Sequence, residues 1–239
     1  MMSPHLTHYT RSIEAVVGIL CNGFAWVPNR RALISDLVPF HPFDEREPQQ
    51  FGMISFTELE PGNAAAHRKA FGDFGISVSK TWAERHKAQK VIYVDRKGPI
   101  FEALRWLFQA GYEQLEAAIE YPDDAALRMA FTNKAMAGVA GGPLWAHLLQ
   151  LYEYLEPIER SDQQEWRIVH PHPYYGLADS KSEIIKSVSP PQGWAKHLNV
   201  VPVEPGDVVQ IIYPAPIRDD LRDILPEPYR DVPFQCLDG

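Results

Sequence analysis

The hydrophobic period of this chain changes once and then changes back, and that switch limits its fold more than any other feature. Before Gly98, short apolar runs alternate with helical stretches. In FGISVSK, Phe74, Ile76 and Val78 fall on one side and Gly75, Ser77 and Ser79 on the other, the period of two of a half-buried strand. FGMISF at 51–56 and KVIYVD at 90–95 read as further strands. The second is expected to be central, because Val91, Ile92, Tyr93 and Val94 are consecutive. AAAHRKAF at 64–71 and Trp82 to Lys87 read as short helices. From Ile100 to Leu155 the strand pattern vanishes. Three segments, FEALRWLFQAGYEQLEAAIEY, DDAALRMAFTNKAMAGVA and PLWAHLLQLYEYL, carry helical spacing and are separated by Tyr121-Pro122 and Gly141-Gly142-Pro143. Strand patterns return in EWRIVH at 165–170 and DVVQIIYP at 207–214, followed by a short helix at 218–225 and an apolar VPFQC. Strands on both sides of the helical block are expected to share one sheet. The fold class that follows is α+β, a single domain over 1–239 with a central mixed, largely antiparallel sheet and a helical insertion at 99–156.

The chain's first helix has both ends marked. In HYTRSIEAVVGILCNGF, Ile13, Val16, Val17 and Leu20 repeat at helical spacing, so residues 11–22 read as a helix with one buried face. Thr10 or Ser12 can accept from the first free amides, and Gly23 can take the left-handed backbone that ends such a helix. His5, His8, Tyr9 and Thr10 precede it at a strand end, where a helix amino terminus offers amides and a positive dipole to an anion. That makes them candidates for a phosphate or nucleotide site. The competing reading is a strand edge whose polar side chains bond the backbone.

Bulk properties narrow the function classes. With 45% hydrophobic residues in 239, a full core is within reach. The longest apolar runs, such as VVQIIY at 208–213, fall far short of the roughly 20 residues needed to cross a bilayer, so no membrane partner is expected. The opening MMSPHLTHYT lacks the basic and apolar segments of a secretory signal, and Cys21 and Cys236 alone make no disulfide framework, so both are expected as thiols in a cytoplasm. A formal net charge of −8 opposes a broad phosphate-backbone footprint, which argues against nonspecific nucleic-acid binding. Trp26 to Gln50, with its PFHPFDEREP, reads as a surface loop or lid.

Several constellations bear chemistry. In Glu165-Trp166-Arg167 a strand would project the carboxylate and the guanidinium to the same face, beneath one ligand or as a structural ion pair with Trp166 on the opposite face. Ser77 and Ser79 project together beside Gly75 and suit the wall of a nucleotide pocket. The segment Gly75-Ile76-Ser77-Val78-Ser79 lacks the second glycine of a nucleophile elbow. His170 and His172 lack companion ligands at a metal spacing, so no metal is expected. No Walker or dinucleotide glycine fingerprint is present. The stripe of Trp106, Leu107, Tyr112, Leu115 and Ile119 suits a buried core or, less commonly, a partner surface.

Taken together, HYTRSIEAVVGILCNGF, FGMISFTEL, AFGDFGISVSKTWAERHKAQKVIYVD and EWRIV resemble the AbiGi family of abortive phage-resistance proteins. The likeness covers residues 8–95 and 165–169, with the glycines and the Lys80 and Trp82 pair around FGISVSKTW its most specific part. It implies a bacterial defence protein, the antitoxin member of a two-gene system, whose partner is a separate toxin. A more distant similarity is to ADP-ribosyltransferase folds of the DarT type. That similarity implies NAD as cofactor, with His8, Tyr9 and Thr10 in contact with it, Ser77 and Arg167 lining the pocket and Glu165 catalytic. The two implied functions are therefore a protein-binding module with a polar groove and, as the alternative, an NAD-dependent ADP-ribosyltransferase.

Overall fold

The computed structural model describes residues 2–28, 50–118, 148, 151–174, 200–214 and 221–237. The PFHPFDEREP lid, most of the second and third helical segments and the proline loop SPPQ lie outside the described residues. The strands are β1 (Met2–Thr10), β2 (Phe24–Ala25), β3 (Val27–Pro28), β4 (Gln50–Leu59), β5 (Phe74–Ser79), β6 (Gln89–Lys90), β7 (Ile92–Val94), β8 (Leu155–Pro157), β9 (Glu165–Tyr174), β10 (Val200–Val201), β11 (Val208–Pro214) and β12 (Phe234–Leu237). The helices are α1 (Ile13–Asn22), α2 (Ala65–Phe71), α3 (Lys80–Arg85), α4 (Pro99–Ala118) and α5 (Leu221–Ile224).

The fold is α+β. Its main sheet is eight-stranded, in the order β12-β11-β5-β1-β4-β9-β6, with β3 pairing to β4. Every neighbouring pair is antiparallel except β11 with β12, which run parallel. β4, before the helical block, and β9, after it, are direct partners from Gln50↔Tyr174 to Thr57↔Glu165, as the shared-sheet expectation requires, whereas β7 and β8, which border the block, pair in a separate ribbon.

Local chemistry sets the element ends. Ser12 caps α1 by accepting from the Ala15 amide at 3.3 Å, and Gly23 ends it at φ 89° with its amide donating to the Ile19 carbonyl. Of the two candidate caps, Ser12 is the one used, because Thr10 still belongs to β1 and pairs with Phe74. Ser79 likewise accepts from the Trp82 amide to start α3 directly from the end of β5.

One face of the sheet carries the main core. Leu6, Phe56, Ile76, Val78, Trp82 and Ile211 are sealed there beneath α1 and α3, with Val16 and Leu20 from α1 packed against them. Each such side chain, fully buried, contributes about 1.5–3 kcal/mol. The indole of Trp82 also donates to the Pro202 carbonyl at 3.1 Å, so its polar end is satisfied inside the core. The other face holds a small apolar cluster of Tyr9, Ala64, Ile212 and Leu237 under α2, and otherwise a run of polar side chains.

KVIYVD is not a central strand. It divides at Val91: Gln89 and Lys90 form the sheet's edge against β9, while Ile92–Val94 pair in parallel with β8 in a separate two-stranded ribbon. The Val91 amide donates to the Glu165 carbonyl and the Ile92 amide to the Tyr154 carbonyl, so the chain leaves one sheet for the other within a single residue. Consecutive apolar residues here serve two half-buried sites, and Ile92 is exposed.

Candidate functional site

The polar face is organised by register. Gln210 opposes Ser77, Ser77 opposes Thr7, Thr7 opposes Thr57 and Thr57 opposes Glu165. Paired residues of adjacent strands share a face, so five side chains form one transverse row across β11, β5, β1, β4 and β9. Thr7 Oγ1 and Ser77 Oγ are 2.8 Å apart. The Gln210 amide nitrogen donates to Ser77 Oγ at 3.3 Å and lies 3.2 Å from His5 Nε2. Thr57 Oγ1 donates to the Gln163 carbonyl at 2.6 Å. Thr7, Thr57, Ser77 and Glu165 are all buried.

Glu165 does not stand alone at the end of this row. Arg167 Nε donates to Glu165 Oε1 and Arg167 Nη2 to Glu165 Oε2, each at 2.7 Å, a bidentate pair with both side chains on one face of β9. Nη1 donates to the Glu153 carbonyl and Nη2 to Glu156 Oε1, each at 2.5 Å. Arg160 reaches the second oxygen of Glu156 at 3.3 Å. Burial opposes the charge on Arg167, but the carboxylates of Glu165 and Glu156 outweigh it and raise its pKa further. Tyr93 completes the frame: its hydroxyl oxygen accepts from the Glu165 amide at 2.8 Å, and burial pushes its phenol up to about 12.

His8 lies on the opposite face. It pairs with Ile76, one residue out of phase with Thr7, and its ring meets Phe24 and Phe56 edge-on at 5.3 and 5.7 Å between centroids. Its Nδ1 donates to the Ser55 carbonyl at 2.8 Å. Burial lowers its pKa despite that hydrogen bond, so the imidazole is neutral. Thr10 shares this face, because it pairs with Phe74 in the same phase. The sheet therefore divides the sequence-derived candidates into two sets: Tyr9, Ser77, Glu165 and Arg167 on the polar face, His8 and Thr10 on the core face. Among the described residues, His8 and Glu165 are separated by the thickness of the sheet.

Tyr9 is the member of HYT that faces the polar side. It pairs with Gly75, where a Cβ would stand 3.2 Å from Tyr9 Cδ1 and 3.1 Å from the Thr7 methyl, so the glycine gives the ring its bed. Above it lies His67 of α2, with ring centroids 5.7 Å apart. The Tyr9 hydroxyl and His67 Nδ1 are both buried without a hydrogen-bond partner among the described residues. Each costs about 1–3 kcal/mol. Burial is also the main cause that lowers His67 to about 4, against the opposing field of Glu165, and that raises Tyr9 to about 12. Both groups are uncharged at neutral pH.

Thr7, Thr57, Tyr93, Glu156 and His67 were not legible as site residues. The period of two does place Thr7 with Tyr9, but only the cross-strand register brings Thr57 and Glu165 into that row. His67 is one residue in a seven-residue helix, with no pattern that announces its contact. His170 and His172 belong to β9, with side chains outside the described residues. Among the described residues no group of three or more His, Cys, Asp or Glu side chains is placed to hold a metal ion, and no helix is long and apolar enough to cross a membrane. No family model matches the chain, and no curated protein or solved structure is significantly similar to it.

Proposed function

We propose that this protein is a protein-binding component of a bacterial abortive-infection system, an antitoxin-type module that holds a cognate toxin. The observation that carries this reading is the outer face of α4. Ile100, Trp106 and Leu107 are 66%, 71% and 43% exposed, with the exposed Ala103 and Ala110 between and beyond them. Phe101 and Phe108 of the same helix are buried. At 100° per residue the five exposed residues fall in one sector about 120° wide, and the two phenylalanines fall outside it. A large exposed aromatic bordering an apolar stripe is the side chain type that anchors protein interfaces. The bidentate lock on Glu165 supports the same reading, because it gives that carboxylate a structural occupation.

The test is co-expression with the product of the adjacent reading frame. Trp106→Glu combined with Ile100→Glu is expected to cut co-purification by at least about tenfold, with the melting midpoint unchanged. An undiminished complex refutes the reading.

A second reading, an NAD-dependent ADP-ribosyltransferase, is favoured by the polar row that ends at Glu165. It requires His8 and Glu165 to reach one ligand from opposite faces of a sheet. Titration with NAD, with ATP as control, decides it: a rise in melting midpoint that Glu165→Gln leaves intact while abolishing transfer would establish it, and no rise removes it.

A further inference from the structure

Glu58, Lys80, Lys90 and Trp166 come from four different elements and meet at one edge of the sheet. Glu58 stands near the end of β4, Lys80 opens α3, Lys90 ends β6 and Trp166 lies in β9. The carboxylate is buried, at 4% exposure, and both of its oxygens are taken. Lys80 Nζ donates to Oε1. Lys90 Nζ and Trp166 Nε1 each donate to Oε2, at 3.1 Å. Burial opposes the charge on Glu58, but the hydrogen bonds from Lys80, Trp166 and Lys90 hold its carboxyl below the usual range, so it is an anion at neutral pH.

Two ammonium groups meet one carboxylate, a balance of +1 within hydrogen-bonding contact, in a chain whose formal net charge is −8; Glu60, whose charge reaches His5 together with that of Lys80, stands outside this contact. One lysine suffices to neutralise a buried glutamate, and the second is in excess. Each ammonium has three N–H donors and spends one on Glu58, which leaves two on each. The lysine side chains are 34% and 39% exposed, so both lie at the surface. Lys80 is held further by the ring of Trp166, 5.9 Å from its Nζ. Two surface lysines are normally mobile, and a ligand that binds them must order them first. Here the buried carboxylate and the indole have already done so.

We propose that Lys80 and Lys90, tethered by Glu58 and Trp166, form a binding site for a phosphate-bearing anion. Compact ammonium charges with rotatable donors suit a tetrahedral oxyanion, and a doubly charged one gains most from the pair. The site is independent of the partner-binding face of α4 and of the Glu165 row.

The experiment is a titration of the whole chain with inorganic phosphate at constant ionic strength, read by isothermal calorimetry and by the melting midpoint, with sodium chloride as the matched control. Phosphate is expected to bind and to raise the midpoint where chloride does not. Lys90→Gln leaves Glu58 with Lys80 and Trp166, so the fold stands, and it is expected to weaken phosphate binding by at least about tenfold. Lys97→Gln, an exposed lysine in the turn after β7, is expected to leave it unchanged. Absence of binding to the wild type overturns the proposal, as does a Lys90→Gln variant that binds like wild type or a Lys97→Gln variant that loses as much.

Discussion

Replacing Arg167 by methionine is the most informative perturbation of this fold. The guanidinium is 1% exposed and makes two bonds to Glu165, one to Glu156 and one to the Glu153 carbonyl. Methionine fills much of the volume but removes the buried cation that Glu165 and Glu156 share, leaving Glu156 with the more exposed Arg160. Breaking a buried ion pair from one side costs about 3–5 kcal/mol, most of it the stranded charge and not the lost attraction. For 239 residues the entropy of unfolding is roughly 0.5 kcal/mol/K, so a loss of 4 kcal/mol lowers the melting midpoint by about 8 °C. The triple variant Arg167→Met, Glu165→Gln, Glu156→Gln removes the charges together and should lose at least about 2 kcal/mol less than the single one. Urea unfolding followed by tryptophan fluorescence measures both, with equal m-values as the check on the unfolded state. A single variant that loses under about 1 kcal/mol, or a triple variant that loses as much as the single, refutes the argument.

Further outcomes follow from the same structure. His67 has a folded pKa of about 4 against a reference of 6.5, so its contribution is complete above pH 6.5 and is lost as pH falls from 6.5 towards 4, about 3 kcal/mol in all; His67→Phe should flatten the urea-midpoint profile over that window, and an unchanged slope contradicts the assignment. Gly72 has φ 119°, and a Cβ there would meet the Thr10 carbonyl oxygen at 2.2 Å, so Gly72→Ala should cost at least about 2 kcal/mol. Gly18, inside α1 with nothing within 4 Å of its virtual Cβ, should instead gain about 0.5–1 kcal/mol as alanine; similar midpoints for the two variants would refute the contrast. Tyr9→Phe removes a buried hydroxyl that has no partner among the described residues, so thermal unfolding should show no loss of stability, and a loss above about 1 kcal/mol would mean that the hydroxyl is bonded.

The sequence by itself determined the elements. Their signals are local: the period of two in FGISVSK, the cap at Ser12, the glycine at 23 and the return of strand pattern at EWRIV each act within a few residues and stand where their patterns put them, although β5 is buried on both faces from Gly75 to Val78 and is not the half-buried strand its alternation suggests. The shared face of Glu165 and Arg167 was legible for the same reason, since alternation along one strand fixes it. The tertiary structure alone decided what faces what. His8 and Tyr9 are neighbours in sequence, yet which of them shares a face with Glu165 depends on the pairing of β1 with β4 and of β4 with β9, and a shift of one residue would exchange them. KVIYVD carries one apolar run, but its division between two sheets depends on carbonyls of Tyr154 and Glu165 more than 60 residues away. In sequence Trp106 fits a core face more readily than a partner face; its exposure depends on which side of α4 the rest of the fold covers. Local periodicity specifies an element and the phase of its faces, whereas non-local register and packing choose which faces meet, and a functional site is a meeting of faces.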